Sequence, residues 1–180
     1  SDDSPGEASN TTGVLALGSD GRVYGIGWSG DEGEIITNNG DFISRWTAVN
    51  GTNGTTPLTN VVFLATSESS EEYPTAGVII NGFGGNNQLL TWGDNDDNNI
   101  GHWDSGRTNN PSVPAGFTSS DNPVYLSLGG HAASYLNIEG EGTICFVGHI
   151  IAGSGAGLQT NPAAFGCFGP SSPGWPAGIE

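Results

Sequence analysis

Lysine and methionine are absent from this chain, and its basic side chains, three histidines aside, are Arg22, Arg45 and Arg107. Set against 19 acidic residues, these leave a formal net charge of −16. Such a surface repels phosphate backbones, so nucleic acid is not an expected partner. It suits divalent cations, basic partners, or plain solubility in a salty medium. Without lysine there is no phosphate loop ending in Gly-Lys-Ser/Thr. Hydrophobic runs approaching the ~20 residues of a membrane-spanning helix are also missing, so no membrane span is expected. Helical stretches fare no better, because Gly, Pro or Asn interrupts every candidate within about two turns.

Two further scarcities bear on location. With no methionine and the polar opening Ser1-Asp2-Asp3-Ser4-Pro5-Gly6-Glu7, the chain reads as starting at a processed end from which a leader was removed. Cys145 and Cys167 are the only cysteines. They do not form a metal-type cluster, so a single disulfide is expected, with free thiols as the alternative. Asn10, Asn50 and Asn53 begin Asn-X-Ser/Thr triplets compatible with glycosylated, exported loops, although an Asn- and Thr-rich chain also generates such triplets by chance. The expected location is secreted or cell-surface.

What is abundant argues for strands and turns. The chain has 31 glycines, and its five Trp, seven Phe and four Tyr are spread along it, which disordered chains rarely show. The stretch Gly13–Gly27 reads as strand, turn, strand, with apolar Leu15 and Leu17 before Ser19-Asp20-Gly21 and Val23 and Ile26 after it. The plan returns 121 residues later, where Leu15 corresponds to Leu136, Gly21 to Gly142 and Gly27 to Gly148. A middle copy runs from Ala76–Ile80 through a Gly/Asn turn to Leu89–Gly93. The closing glycines Gly27, Gly93 and Gly148 recur at intervals of 66 and 55 residues (93 − 27 and 148 − 93), the size of one supersecondary unit of about four short strands. Pro-marked stretches follow at Thr56-Pro57-Leu58, Asn110-Pro111-Ser112-Val113 and Asn161-Pro162-Ala163. Short apolar strands then come at Val61–Leu64 and Val124–Leu128. The expected organisation is a polar arm, residues 1–12, and one all-β domain, residues 13–180. Its propeller-like repeats cover approximately 13–75, 76–130 and 131–180.

The alternation Val14-Leu15-Ala16-Leu17 before Asp20-Gly21 and Val23-Tyr24, the corner Thr91-Trp92-Gly93-Asp94-Asn95, and Gly129-Gly130-His131-Ala132-Ala133 together resemble the regulator of chromosome condensation repeat. The resemblance spans roughly residues 13 to 165 and implies β-propeller blades, with His131 a hydrogen-bonded packing residue. Departures from the pattern include Ile26-Gly27-Trp28 and Val147-Gly148-His149 where Trp-Gly is usual. Three repeats are also too few for the family's ring of about seven blades, so strand edges are left to be covered, near Val14 at the start and Phe165 at the end. The family's nucleotide-exchange role has no matching residues here.

Candidate chemistry is sparse. Gly153-Ser154-Gly155-Ala156-Gly157 imitates a nucleotide fingerprint but lacks the strand-to-helix context. His102, His131 and His149 lie at different phases of the repeat, which does not suit a shared metal site. Asp94, Asp96 and Asp97, in the run Asp94–Asn99, offer oxygens for a calcium ion, with a solvated turn as the alternative and without the EF-hand's spacing. Trp103, flanked by His102 and Asp104, and Trp175 could stack on sugar rings, or else plug the ends of blades. No cofactor other than calcium is suggested. With no catalytic motif, the chain reads as a non-catalytic structural or adhesive module. It would act through association with other protein subunits, including copies of itself in a ring or extracellular fibre. A glycan-binding module with calcium is the alternative reading.

Overall fold

The computed structural model describes residues 13–29, 35–36, 42–67, 74–82, 84–95, 100–102, 106–118, 121–129, 132–137, 142–148 and 165–173. Among them are eleven strands and no helix. The first sheet holds β1 (Gly13–Leu17), β2 (Val23–Trp28) and β3 (Phe42–Ala48) in that order. The second holds β4 (Val61–Thr66), β5 (Thr75–Asn81), β6 (Asn87–Asp94) and β7 (Arg107–Ser112). The third holds β8 (Pro123–Leu128), β9 (Ala132–Asn137), β10 (Thr143–Gly148) and β11 (Gly166–Phe168). Every pairing is antiparallel between chain neighbours, so each sheet is a meander.

The hairpins read from sequence are the β1–β2, β5–β6 and β9–β10 pairs. Each sequence repeat therefore begins one strand inside a sheet, because β4 and β8 join the hairpin that follows them. The 121-residue offset superposes Gly27 on Gly148, but their cross-strand partners, Gly13 and Ala132, are only 119 apart (132 − 13). The hairpins thus differ in length by two residues on their opening strands. Pro111 lies inside β7, not in a connection. β7 is the outermost strand of its sheet, where a missing N–H is tolerated.

The closing glycines share a positive φ, and the first two adjoin a slip of the ladder. Gly27, Gly93 and Gly148 have φ of 96°, 110° and 96°, conformations that favour glycine. The ladder slips between Gly25 and Gly27 in the first sheet and between Thr91 and Gly93 in the second. A Cβ on Gly93 would also lie 2.3 Å from the Pro74 carbonyl oxygen.

Two apolar clusters hold the sheets together, one on each face of the second sheet. Val78, Leu90 and Trp92 pack with Val23, Ile35, Ile36, Val49 and Leu15 of the first sheet and its loops. Ile79 and Leu89 pack with Leu126, Cys145, Val147 and Phe165 of the third. This explains why β5 and β6 read as nearly continuous apolar runs, since alternate residues are buried on opposite faces. Full burial of each such side chain stabilises the stack by about 1.5–3 kcal/mol. Trp92, completely buried, also donates its indole N–H to the Ile35 carbonyl at 2.9 Å, joining the second sheet to the β2–β3 connection.

Candidate functional site

The first sheet has an inner face packed on the second sheet and an outer face that nothing among the described residues covers. Val23, Gly25 and Gly27 of β2, with Leu15 of β1, point inward. By alternation, Val14 and Ala16 of β1 and Tyr24, Ile26 and Trp28 of β2 point outward. Strand β3 extends this outer row, since Phe42 pairs with Trp28 and Ala48 with Tyr24, while Trp46 lies in phase with Ala48. The result is an apolar and aromatic face on which Val14 is 48% exposed, Phe42 56% and Trp46 53%. Contiguous exposed patches of this kind mark sites of interaction. Sequence inspection had picked out Val14 as an edge residue and had not identified β3 as a strand.

Both expected edges are edge strands among the described residues: β1, with Val14, in the first sheet and β11, directly after Phe165, in the third. Among the described residues β1 pairs with β2 alone, so the first sheet lacks the leading strand that β4 and β8 provide in the others. Phe165 itself has its side chain turned inward. It is buried, its N–H donates to the Ala115 carbonyl at 2.9 Å, and its ring sits where a Cβ on Gly101 would be. The Cys145–Cys167 disulfide joins directly opposed residues of β10 and β11 and holds that three-residue strand in place.

A repeated polar device stands two residues beyond the first two closing glycines. Asn95, fully buried, accepts the Ile100 N–H on Oδ1 (3.3 Å) and donates from Nδ2 to the His102 carbonyl (3.0 Å). Thr91 Oγ1 donates to the Ile100 carbonyl at 2.7 Å, and His102 Nε2 lies 3.0 Å from Thr91 Oγ1 and 3.2 Å from the Thr91 carbonyl. Because the Thr91 hydroxyl proton goes to Ile100, the imidazole nitrogen is the donor towards Thr91. In the first sheet Ser29 takes the corresponding place, accepting the Ile36 N–H on Oγ at 3.1 Å. Ile36 and Ile100 are both buried, so each polar residue anchors a loop that carries a buried isoleucine. The signal legible in sequence was the shared spacing of Ser29 and Asn95 from Gly27 and Gly93.

The remaining sequence candidates are dispersed. Asp94 is buried at the end of β6, in register with Arg107 of β7, and its backbone N–H donates to the Pro74 carbonyl. Asp96, Asp97, Trp103, Trp175, His131, His149 and Asn10 lie outside the described residues. Among those described, no three His, Cys, Asp or Glu side chains gather into a group able to hold a metal ion. Asn50 and Asn53 sit in one loop after β3. Asn50 Nδ2 donates to the Gly54 carbonyl at 2.9 Å, while exposed Asn53 accepts the Thr55 and Thr56 N–H groups, each at 3.0 Å, in an Asx-type turn. Among the described residues no helix is long and apolar enough to cross a membrane.

No protein-family model matches this chain, and no curated protein matches it. Among solved structures, the crystal structure of human WBSCR16 is similar, with a TM-score of 0.65 and 22% sequence identity. The match covers 88% of this chain and 36% of that one. At that identity the likeness concerns the fold. The fold is all-β and propeller-like. The propeller-like stack described here spans about a third of the WBSCR16 chain, and its disulfide is of the kind that forms in an oxidising environment.

Proposed function

We propose that this chain is a non-catalytic, secreted or cell-surface structural module, built from repeats of regulator of chromosome condensation type, that works by associating with copies of itself. The observation that carries the reading is the outer face of the first sheet. Val14, Phe42 and Trp46 stand about half exposed there, in a chain whose net charge of −16 would otherwise make a strongly solvated surface. Leaving such side chains in water forgoes about 1 kcal/mol or more each, on the usual scale of apolar burial. Retaining them together on one face is accounted for by a partner that covers them. The disulfide supports an exported location, since cytosolic thiols are kept reduced. The strands provide surfaces and packing, and the fully buried polar side chains Ser29, Thr91 and Asn95 are engaged in anchoring loops.

The test is the native mass of the purified chain, followed by light scattering over a hundredfold range of concentration with a chelator present and absent. Mass rising with concentration towards discrete rings or growing fibres is the expected result. A single 18.4 kDa species at every concentration would overturn the reading.

A further inference from the structure

The stack is directional. In each sheet, residues in phase with the closing glycine (Gly27, Gly93 or Gly148) form one face, here the back, and residues out of phase form the front. The back of the first sheet (Leu15, Val23) packs on the front of the second (Val78, Leu90, Trp92). The back of the second (Ile79, Leu89) packs on the front of the third (Leu126, Cys145, Val147). Both internal interfaces therefore join a back to a front, and the stack ends with a front on the first sheet and a back on the third. That back carries Ile144, 41% exposed, and Phe146, both in phase with Gly148 on β10.

We infer that copies of this chain associate head to tail, the front of the first sheet in one copy packing on the back of the third sheet in the next. The proposal rests on the self-association reading above and specifies its geometry. Three observations favour a second copy as the occupant. The two end faces are the two halves of the contact already made twice inside the chain. None of the 19 acidic residues falls within a strand of either terminal sheet, so the only carboxylate the described residues bring to the front face is Asp20, engaged by the Tyr24 hydroxyl at its margin. A matching contact is also left open at the far end. In the first sheet the hairpin glycine Gly21 (φ 72°) lies against Asn60, where the chain leads into the second sheet, and its carbonyl accepts the Val61 N–H at 3.0 Å. The corresponding Gly142 (φ 66°) in the third sheet meets nothing within 4 Å among the described residues. A front-to-back contact is heterologous, so it generates a closed ring or an open filament and not a two-fold dimer.

The experiment uses two charged variants of the full chain, Trp46→Glu on the front and Ile144→Glu on the back, with sedimentation velocity as the readout. Each variant alone should raise the apparent dissociation constant at least tenfold. Mixed in equal amounts, they should form a dimer that does not grow, because the intact back of one meets the intact front of the other. Both side chains are substantially exposed, and circular dichroism checks that the variants fold; Phe42→Ser replaces Trp46→Glu if the latter does not. If Ile144→Glu assembles like the wild type while Trp46→Glu does not, the contact is front to front, and the head-to-tail inference fails while self-association stands. Assembly unaffected by either variant also overturns the inference alone. A wild-type chain that stays monomeric overturns the functional reading with it.

Discussion

Breaking the Cys145–Cys167 bond removes the covalent tie that holds β11 on the third sheet. The bond closes a loop of 22 residues. Releasing a loop of that length returns chain entropy to the unfolded state worth about 3 kcal/mol. The folded state loses less, because Phe165 remains packed under Gly101 and Gly116 and the strand keeps its register pairs with β10. Unfolding free energy should therefore fall by about 3 kcal/mol, and the melting temperature by roughly 6–12 °C for a domain of this size. Denaturation with and without reductant, repeated on the Cys145→Ala/Cys167→Ala double variant, measures it. A companion variant, Phe165→Ala, should cost about 3–5 kcal/mol while the bond is intact. If β11 stays in place after reduction, the two losses add; if it leaves, Phe165→Ala costs much less in the reduced protein. A change below about 1 kcal/mol on reduction would refute the loop-closure reasoning.

Three further substitutions probe the fold. Gly93→Ala meets both a positive φ of 110° and the Pro74 carbonyl, whereas Gly85→Ala meets a φ of 88° with nothing within 4 Å among the described residues. Strain alone costs about 1–3 kcal/mol, so Gly85→Ala should stay within that range and Gly93→Ala should exceed it in urea titrations; equal losses would remove the steric part of the argument. Asn95→Ala leaves the buried Ile100 N–H without its acceptor and should cost about 1–3 kcal/mol, with faster hydrogen exchange at Ile100; unchanged exchange would show that Asn95 does not hold the loop. The Tyr24 hydroxyl, donating to Asp20 at 2.8 Å, holds that carboxyl below its ordinary 3.8, helped by the Arg22 N–H and charge. A depressed folded value gives stability present above the unfolded value and lost as pH falls through the folded one, so the contribution disappears in acid. Tyr24→Phe should move the Asp20 midpoint upward in an NMR titration, and an unmoved midpoint would show that the hydrogen bond is not the main cause.

Strands and hairpins were legible because alternation and turn glycines act locally. Leu15, Gly21 and Val23 announce a hairpin without reference to anything distant. The closing glycines were legible as a period, though not as positive-φ positions, since a positive φ is demanded by the neighbouring strand, as the Pro74 carbonyl demands it at Gly93. Strand β3 escaped notice because polar Arg45 and Thr47 stand in the phase of Ile43, which leaves no apolar alternation to read along Phe42–Ala48. For the same reason the apolar outer face was invisible until β1, β2 and β3 were set side by side. That Phe165 is buried beside its edge strand was not legible because the glycines that receive it, Gly101 and Gly116, lie 64 and 49 positions earlier in the chain (165 − 101 and 165 − 116). The disulfide was one of two alternatives in sequence, and direct opposition of Cys145 and Cys167 across β10 and β11 resolves it.

The central claim is that the outer face of the first sheet is covered when the protein assembles. Hydroxyl-radical footprinting of dilute and concentrated samples tests it directly, because Phe42 and Trp46 are reactive side chains and about half exposed in the single chain. The account predicts strong protection of both residues in the concentrated sample, with exposed Val62 and Val113 unchanged. Equal labelling of Phe42 and Trp46 in an assembled sample would contradict it.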